Sequence, residues 1–285
     1  MVKCIASDMD GTLLNSQGMI SEETKQAIQL AKEQGIEFLV ATGRSWEEAR
    51  YVLDKEEIDC AAICVNGAEI RSSKGEILHS IGMDGETAEK VAKVFDEVGM
   101  YYELYTPEGT WTADEELGIQ SLVDIYHTAN PSEDVEEIRD AVKKRFTHSS
   151  LRIVDQYQEV FQAEDCTIYK FLAFSMDEEL LLKVSDRLRE IEGIDVTSSG
   201  RHNIEVSHKQ AQKGIALKEW TAKLGISLQD TMAIGDNYND LSMLQIVGHS
   251  FAMGNAEQAV KQVCRYTTAT NSEDGVAKAI RKLLG

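Results

Sequence analysis

Positive charge, proline and paired cysteine are all scarce in this chain, and each shortage removes a class of explanation. The 285 residues carry 29 Lys and Arg against 49 Asp and Glu, a formal net charge of −20. Nucleic acid and anionic membrane surfaces are held largely through basic patches, so neither is expected as a partner. No apolar run reaches the roughly 18 residues needed to cross a bilayer. The opening Met1-Val2-Lys3-Cys4-Ile5-Ala6 has no long apolar stretch behind a basic start, so no signal peptide is expected. The five cysteines (Cys4, Cys60, Cys64, Cys166 and Cys264) form no CxxC pair, and an odd number leaves one unpaired. They read as buried free thiols in a reducing cytoplasm, not as disulfides or a metal site. The signatures GxxxxGK, GxGxxG, GxSxG and HExxH are absent as well.

What is present is an ordinary globular composition, 42% hydrophobic and 27% charged, long enough for about two domains at ~150 residues each. Short apolar runs at Lys3–Ala6, Phe38–Ala41 and Ala61–Val65 read as buried parallel strands. Helices start between them, one capped by Ser21 and ended by Gly35, the next opened by the capping box Ser45-Trp46-Glu47-Glu48. Strand, helix, strand is the rhythm of a doubly wound α/β sheet. The texture changes near Asp84. A helix over Glu86–Val98 precedes strands at Tyr101–Leu104 and Thr110–Ala113, with both prolines, Pro107 and Pro131, in this region. A strand at Ile168–Phe174, a helix at Leu180–Ile191, and strands at Asp195–Ser198 and Asn203–Val206 around a Gly200 turn complete an antiparallel α+β insertion. The parallel rhythm resumes near Gly214 with a helix to Leu224, a strand at Thr231–Ile234 and a helix at Leu241–Ile246. Phe251-Ala252 and Arg265–Thr268 read as edge strands, and Val276–Leu284 as a closing helix.

The chemistry gathers just beyond the carboxyl ends of the parallel strands, where open α/β sheets bind ligands. Asp8 and Asp10 follow the first strand and Thr42 the second. Asp236, Asn239 and Asp240 follow the strand near Ile234, and Lys213-Gly214 opens the helix before it. Carboxylates so placed repel each other unless a cation neutralises them. Hard oxygen ligands that leave room for water and phosphate suit Mg2+ better than Zn2+ or iron. The amides of Gly11 and Thr12, the Thr42 hydroxyl, the Gly43 N–H and the Lys213 ammonium outline a pocket for a tetrahedral dianion. Several parts are needed at once. Phosphate monoester hydrolysis can require ~10²¹-fold acceleration, and one positioned acid or base supplies only ~10²–10⁴.

The run Asp8-Met9-Asp10-Gly11-Thr12-Leu13-Leu14, then Thr42-Gly43-Arg44, Lys213-Gly214 and Gly235-Asp236-Asn237-Tyr238-Asn239-Asp240 resembles the four motifs of the haloacid dehalogenase-like phosphatases. Val65-Asn66-Gly67-Ala68, Met253-Gly254-Asn255-Ala256 and Asp274-Gly275-Val276-Ala277 are similar to their Cof-type subfamily, which carries a large type IIB cap. The resemblance spans the whole chain. It implies a Rossmann-like core at residues 1–83 and 208–285 and a specificity cap at 84–207. It implies Asp8 as nucleophile, Asp10 as general acid and base, and Thr42 and Lys213 in catalysis. Phosphate or substrate would meet Met9, Gly11, Thr12, Thr42, Gly43, Arg44, Lys213 and Asn239. Mg2+ would be held by Asp8, Asp10 and Asp236, with Asp240 behind these ligands or reaching the ion through water. The expected substrate is a small phosphorylated metabolite such as a sugar phosphate, nucleotide or flavin-pathway phosphate, handled by a monomer or dimer. A sugar phosphomutase and a non-enzymatic phosphate-binding regulator remain as alternatives.

Overall fold

The computed structural model describes residues 1–129, 134–148, 151–198 and 201–284. Pro131 and the Gly200 turn lie outside them. In chain order the strands are β1 (Cys4–Ser7), β2 (Glu37–Ala41), β3 (Ala61–Cys64), β4 (Glu69–Arg71), β5 (Ile77–Ser80), β6 (Tyr102–Thr106), β7 (Gly109–Thr112), β8 (Arg152–Ile153), β9 (Lys170–Phe174), β10 (Ile194–Thr197), β11 (Asn203–His208), β12 (Thr231–Gly235), β13 (His249–Ala252) and β14 (Tyr266–Thr267). The chain divides into two compact units, Met1–Ser80 with Gln210–Gly285, and Ile81–Lys209.

The first unit is built on an eight-stranded sheet in the order β14-β13-β12-β1-β2-β3-β4-β5. β1 sits at its centre, parallel to β12 on one side and β2 on the other. Such a strand is covered on both faces, which is why it reads as an unbroken apolar run and not an alternating one. Ile5, Leu39, Ile63, Met232 and Phe251 are almost fully buried. Helix starts follow local chemistry. Ser21 accepts from the Thr24 amide ahead of the helix Glu22–Glu33, and Ser45 and Glu48 close a reciprocal capping box ahead of Trp46–Lys55.

Two readings of the sheet change. β13 is not an edge strand: it lies between β12 and β14, and β14 alone forms that edge. Beyond β3 the sheet also continues through two antiparallel strands, β4 and β5, that the sequence did not announce. β4 is a buried three-residue strand with a charge at each end and β5 is largely exposed, so neither has the apolar run that marks the other core strands.

The second unit carries a six-stranded sheet in the order β10-β11-β9-β6-β7-β8, antiparallel except for the β7–β8 pair. One face alternates into a core of Tyr102, Leu104, Phe171, Ala173, Ile204 and Val206, packed against Val91, Phe95, Val184 and Leu188. Those last four residues come from the helices Gly85–Asp96 and Glu178–Leu188. Three further helices, Glu115–Ala129, Val135–His148 and Gln158–Phe161, have no counterpart in the sequence reading.

Candidate functional site

β1 ends at Ser7, and the backbone then turns through Met9–Leu13 with Gly11 at a φ of +76°. That conformation is open to glycine at little cost. Space dictates the same residue, because a Cβ at Gly11 would lie 2.4 Å from Asp236 Oδ2. The loop is tied down from further along the chain. Asn255 Nδ2 donates to the Gly11 carbonyl (2.8 Å) and Asn271 Nδ2 to the Leu14 carbonyl (2.8 Å), while the Asn271 amide donates to Asn255 Oδ1 (2.9 Å). Neither asparagine was singled out as a site residue. Asn255 stands in one of the resembling segments, and that was the available signal.

At the centre lies Lys213, fully buried, whose Nζ donates to Asp8 Oδ1 at 2.6 Å and to Asp240 Oδ1 at 2.7 Å. The lysine is the first residue of the helix Lys213–Lys223, which places it beside the β12 end. Burial by itself would pull its ammonium towards neutrality, but Asp240 and Asp8 outweigh that and hold it above the usual lysine range. Asp240 is fixed in turn: its Oδ2 accepts from the Asp236 amide (2.9 Å) and the Asn237 amide (3.0 Å). Thr12 Oγ1 donates to Asp236 Oδ1 at 2.8 Å.

Asp8, Asp236 and Asp240 each offer a carboxylate oxygen within 4.8 Å of the others. Burial pushes the Asp8 carboxyl well above its ordinary value, with the Asp240 charge adding to it and Lys213 opposing. Burial raises Asp236 too, with the Thr12 hydrogen bond working against it and Asp240 adding to it. Three carboxylates against one ammonium leave two negative charges in a buried space, an arrangement that a divalent cation would relieve. Donors that are all hard oxygens fit Mg2+. Asp240 fits least well as a direct ligand, since Lys213 and two amides already occupy its oxygens.

The remaining predicted residues fall around this centre. Thr42 is fully buried at the end of β2, and its Oγ1 accepts from the Arg44 amide at 3.1 Å, which leaves its own proton to donate elsewhere. Asn239 Nδ2 donates to Asn66 Oδ1 at 3.0 Å. A Cβ on Gly43 would sit 3.2 Å from that same Asn66 oxygen, so Asn66 stands close to both the Thr42 and Asn239 loops. Its role there was not legible from a turn dipeptide. Met9 is buried, whereas Asp10 is exposed and paired with Arg44. Among the described residues no helix is long and apolar enough to cross a membrane.

A largely parallel sheet delivering carboxylates and a buried lysine to its carboxyl edge defines the class, a Rossmann-like α/β protein with an acidic site at its strand ends. Comparison narrows it, since a family profile described as haloacid dehalogenase-like hydrolase matches residues 5–280. The chain belongs to that family. It is 34% identical to Phosphatase YwpJ of Bacillus subtilis (strain 168), over 99% of this chain and 100% of that protein. It is also 34% identical to the 5-amino-6-(5-phospho-D-ribitylamino)uracil phosphatase YwtE of the same organism, over 99% and 98%. A solved haloacid dehalogenase-like hydrolase from B. subtilis superimposes with a TM-score of 0.85 at 33% identity, covering 99% of this chain and 100% of that one.

Proposed function

We propose that this chain is a Mg2+-dependent phosphatase that hydrolyses small phosphorylated metabolites through a phosphoenzyme formed on Asp8. The observation that carries this reading is the Lys213 ammonium held between Asp8 and Asp240 at 2.6 and 2.7 Å, inside a cluster of three carboxylates. A −20 protein can hold an anionic ester only if local cations offset its overall field; Lys213 is one such cation, and a divalent ion among the three carboxylates would be the other.

In the first half-reaction an Asp8 oxygen attacks phosphorus as the bond to the leaving oxygen breaks, and Asp10 gives that oxygen its proton. In the second, water attacks phosphorus, Asp10 takes the water's proton, and the bond to Asp8 breaks to restore the carboxylate. Lys213 both orients Asp8 and faces the phosphoryl oxygens. The Thr42 hydroxyl and the amides of Gly11, Thr12 and Gly43 donate to those oxygens, and Asn239 steadies the same region. Mg2+, held by Asp8, Asp236 and the Asp10 carbonyl, would neutralise the charge on the transferring phosphoryl group. The insertion, about residues 84–207, is read as the cap that selects the leaving group. The named substrate of YwtE, a phosphorylated ribityl compound, supports a small phosphorylated metabolite as the substrate class.

The test is release of inorganic phosphate from a panel of phosphorylated metabolites with Mg2+, run beside an assay for sugar-phosphate interconversion. Interconversion without phosphate release would make the protein a mutase. Wild-type turnover of p-nitrophenyl phosphate by Asp8→Asn would overturn the mechanism.

A further inference from the structure

Arg44 was expected at the phosphate, but its guanidinium is engaged elsewhere. Its Nε donates to Asp10 Oδ2 at 2.8 Å and its Nη2 to Asp10 Oδ1 at 2.6 Å, a two-pronged pair. Stability does not explain the arrangement. Asp10 is 59% exposed and Arg44 31%, and such surface pairs contribute only about 0–1 kcal/mol. What the rigid guanidinium fork does supply is orientation, because two parallel hydrogen bonds fix the plane of a carboxylate.

The arginine itself is held. Its amide donates to Thr42 Oγ1 (3.1 Å) and its carbonyl accepts from the Val65 amide (2.9 Å). The neighbouring Asn66 amide donates to the Thr42 carbonyl at 2.9 Å. Val65 and Asn66 both have positive φ, +47° and +57°. For a β-branched valine that conformation costs on the order of 1–3 kcal/mol, which persists only when the surroundings enforce it. The strained turn thus braces the loop that aims Arg44 at Asp10.

We infer that Arg44 is a positioning residue, which holds the Asp10 carboxylate as the proton acceptor when water hydrolyses the phosphoenzyme. This rests on the phosphatase reading above. The two bonds hold both Asp10 oxygens in one plane, which sets where its lone pairs meet the water's proton. Water attacks phosphorus, its proton passes to Asp10, and the phosphorus–oxygen bond to Asp8 breaks. The proton now on Asp10 is the one given to the next leaving oxygen.

The experiment is rapid-quench kinetics of the full chain with Mg2+ and 2,4-dinitrophenyl phosphate, whose leaving group needs no protonation. Arg44→Gln and Arg44→Lys are compared with wild type, the latter keeping the charge without the fork. Both variants are expected to give a burst of one dinitrophenolate per chain at an almost unchanged rate. Their steady-state phosphate release should then fall about 10²-fold, the lower end of what a positioned base supplies. Guanidinium ion in the buffer should restore part of the loss in Arg44→Gln. Equal losses in burst and steady state would make Arg44 a substrate ligand, and unchanged steady-state release would remove it from the reaction; either result overturns the inference. Asp10→Asn separates the two levels. If that variant hydrolyses its phosphoenzyme like wild type, or no variant forms one, the phosphatase mechanism itself fails and takes this inference with it.

Discussion

Gly11 and Asp236 stand so close that a Cβ on the glycine would be 2.4 Å from the aspartate Oδ2, although 224 residues separate Thr12, the next residue, from its partner Asp236. Packing this tight makes the loop after β1 and the loop after β12 one structure. Gly11→Ala is expected to destabilise the fold by roughly 1–3 kcal/mol, from left-handed strain plus the displaced carboxylate. Gly18→Ala is the control, since Gly18 has a similar φ of +71° with nothing within 4 Å. Thermal melts with and without Mg2+ should show the metal-induced rise lost in the first variant and kept in the second.

Lys213 bridges two buried carboxylates, Asp8 and Asp240. Lys213→Met leaves both uncompensated, and breaking a buried pair in this way costs about 3–5 kcal/mol. Adding Asp8→Asn removes one of the stranded charges. The double variant should therefore melt higher than the sum of the single losses predicts, by a coupling of about 0.5–3 kcal/mol. Strict additivity would show that the lysine does not compensate Asp8.

Removing metal should lower stability, because the buried carboxylates then repel one another. Magnesium at about 100 times its Kd should add back ~2.7 kcal/mol. Asp236→Asn is expected to abolish that gain while leaving the metal-free protein as stable as wild type or more so, since it deletes a carboxylate that burial disfavours. Calorimetry in EDTA and in Mg2+ measures both terms. A full Mg2+ gain in Asp236→Asn would exclude Asp236 as a ligand.

All five cysteines are free, and burial pushes Cys4 and Cys60 up to about 12. Unfolded thiols lose their protons near about 8.5. Between these values the folded state keeps protons that the unfolded state has released, so stability falls as pH rises. The slope is about 1.4 kcal/mol per pH unit for each such thiol. Melting between pH 9 and 11 should flatten in Cys60→Ala relative to wild type. Native Cys4 and Cys60 should also resist alkylation at pH 8 while the denatured chain reacts.

Much of the core was legible because its signals are local. An unbroken apolar run such as Cys4–Ser7 marks a strand covered on both sides, and Ser45 with Glu48 marks a helix start within four residues. β4 and β5 escaped because, beyond the Asn66-Gly67 turn, a three-residue strand with charged ends and an exposed partner have no apolar run. The helix Val135–His148 escaped because its few apolar residues are diluted by charge, whereas Glu115–Ala129 carries apolar residues at helical spacing and was legible in principle. β13 was placed at an edge because its few apolar residues do not reveal that β14 pairs beyond it.

For the site, the sequence by itself determined which residue types stand at strand ends, and those motifs carried the family. It did not determine their hydrogen bonds. Lys213 reaches Asp8 across 205 residues and Asp240 across 27, and no local pattern encodes which oxygen of which carboxylate a buried ammonium will choose. Arg44 shows the difference most plainly. As part of Thr42-Gly43-Arg44 it looked like a phosphate ligand, and only the tertiary structure turned its fork onto Asp10, 34 residues earlier in the chain. Strand-end chemistry is written in the chain because it follows from the order of residues. Partner choice follows from the space left once the parallel sheet has closed.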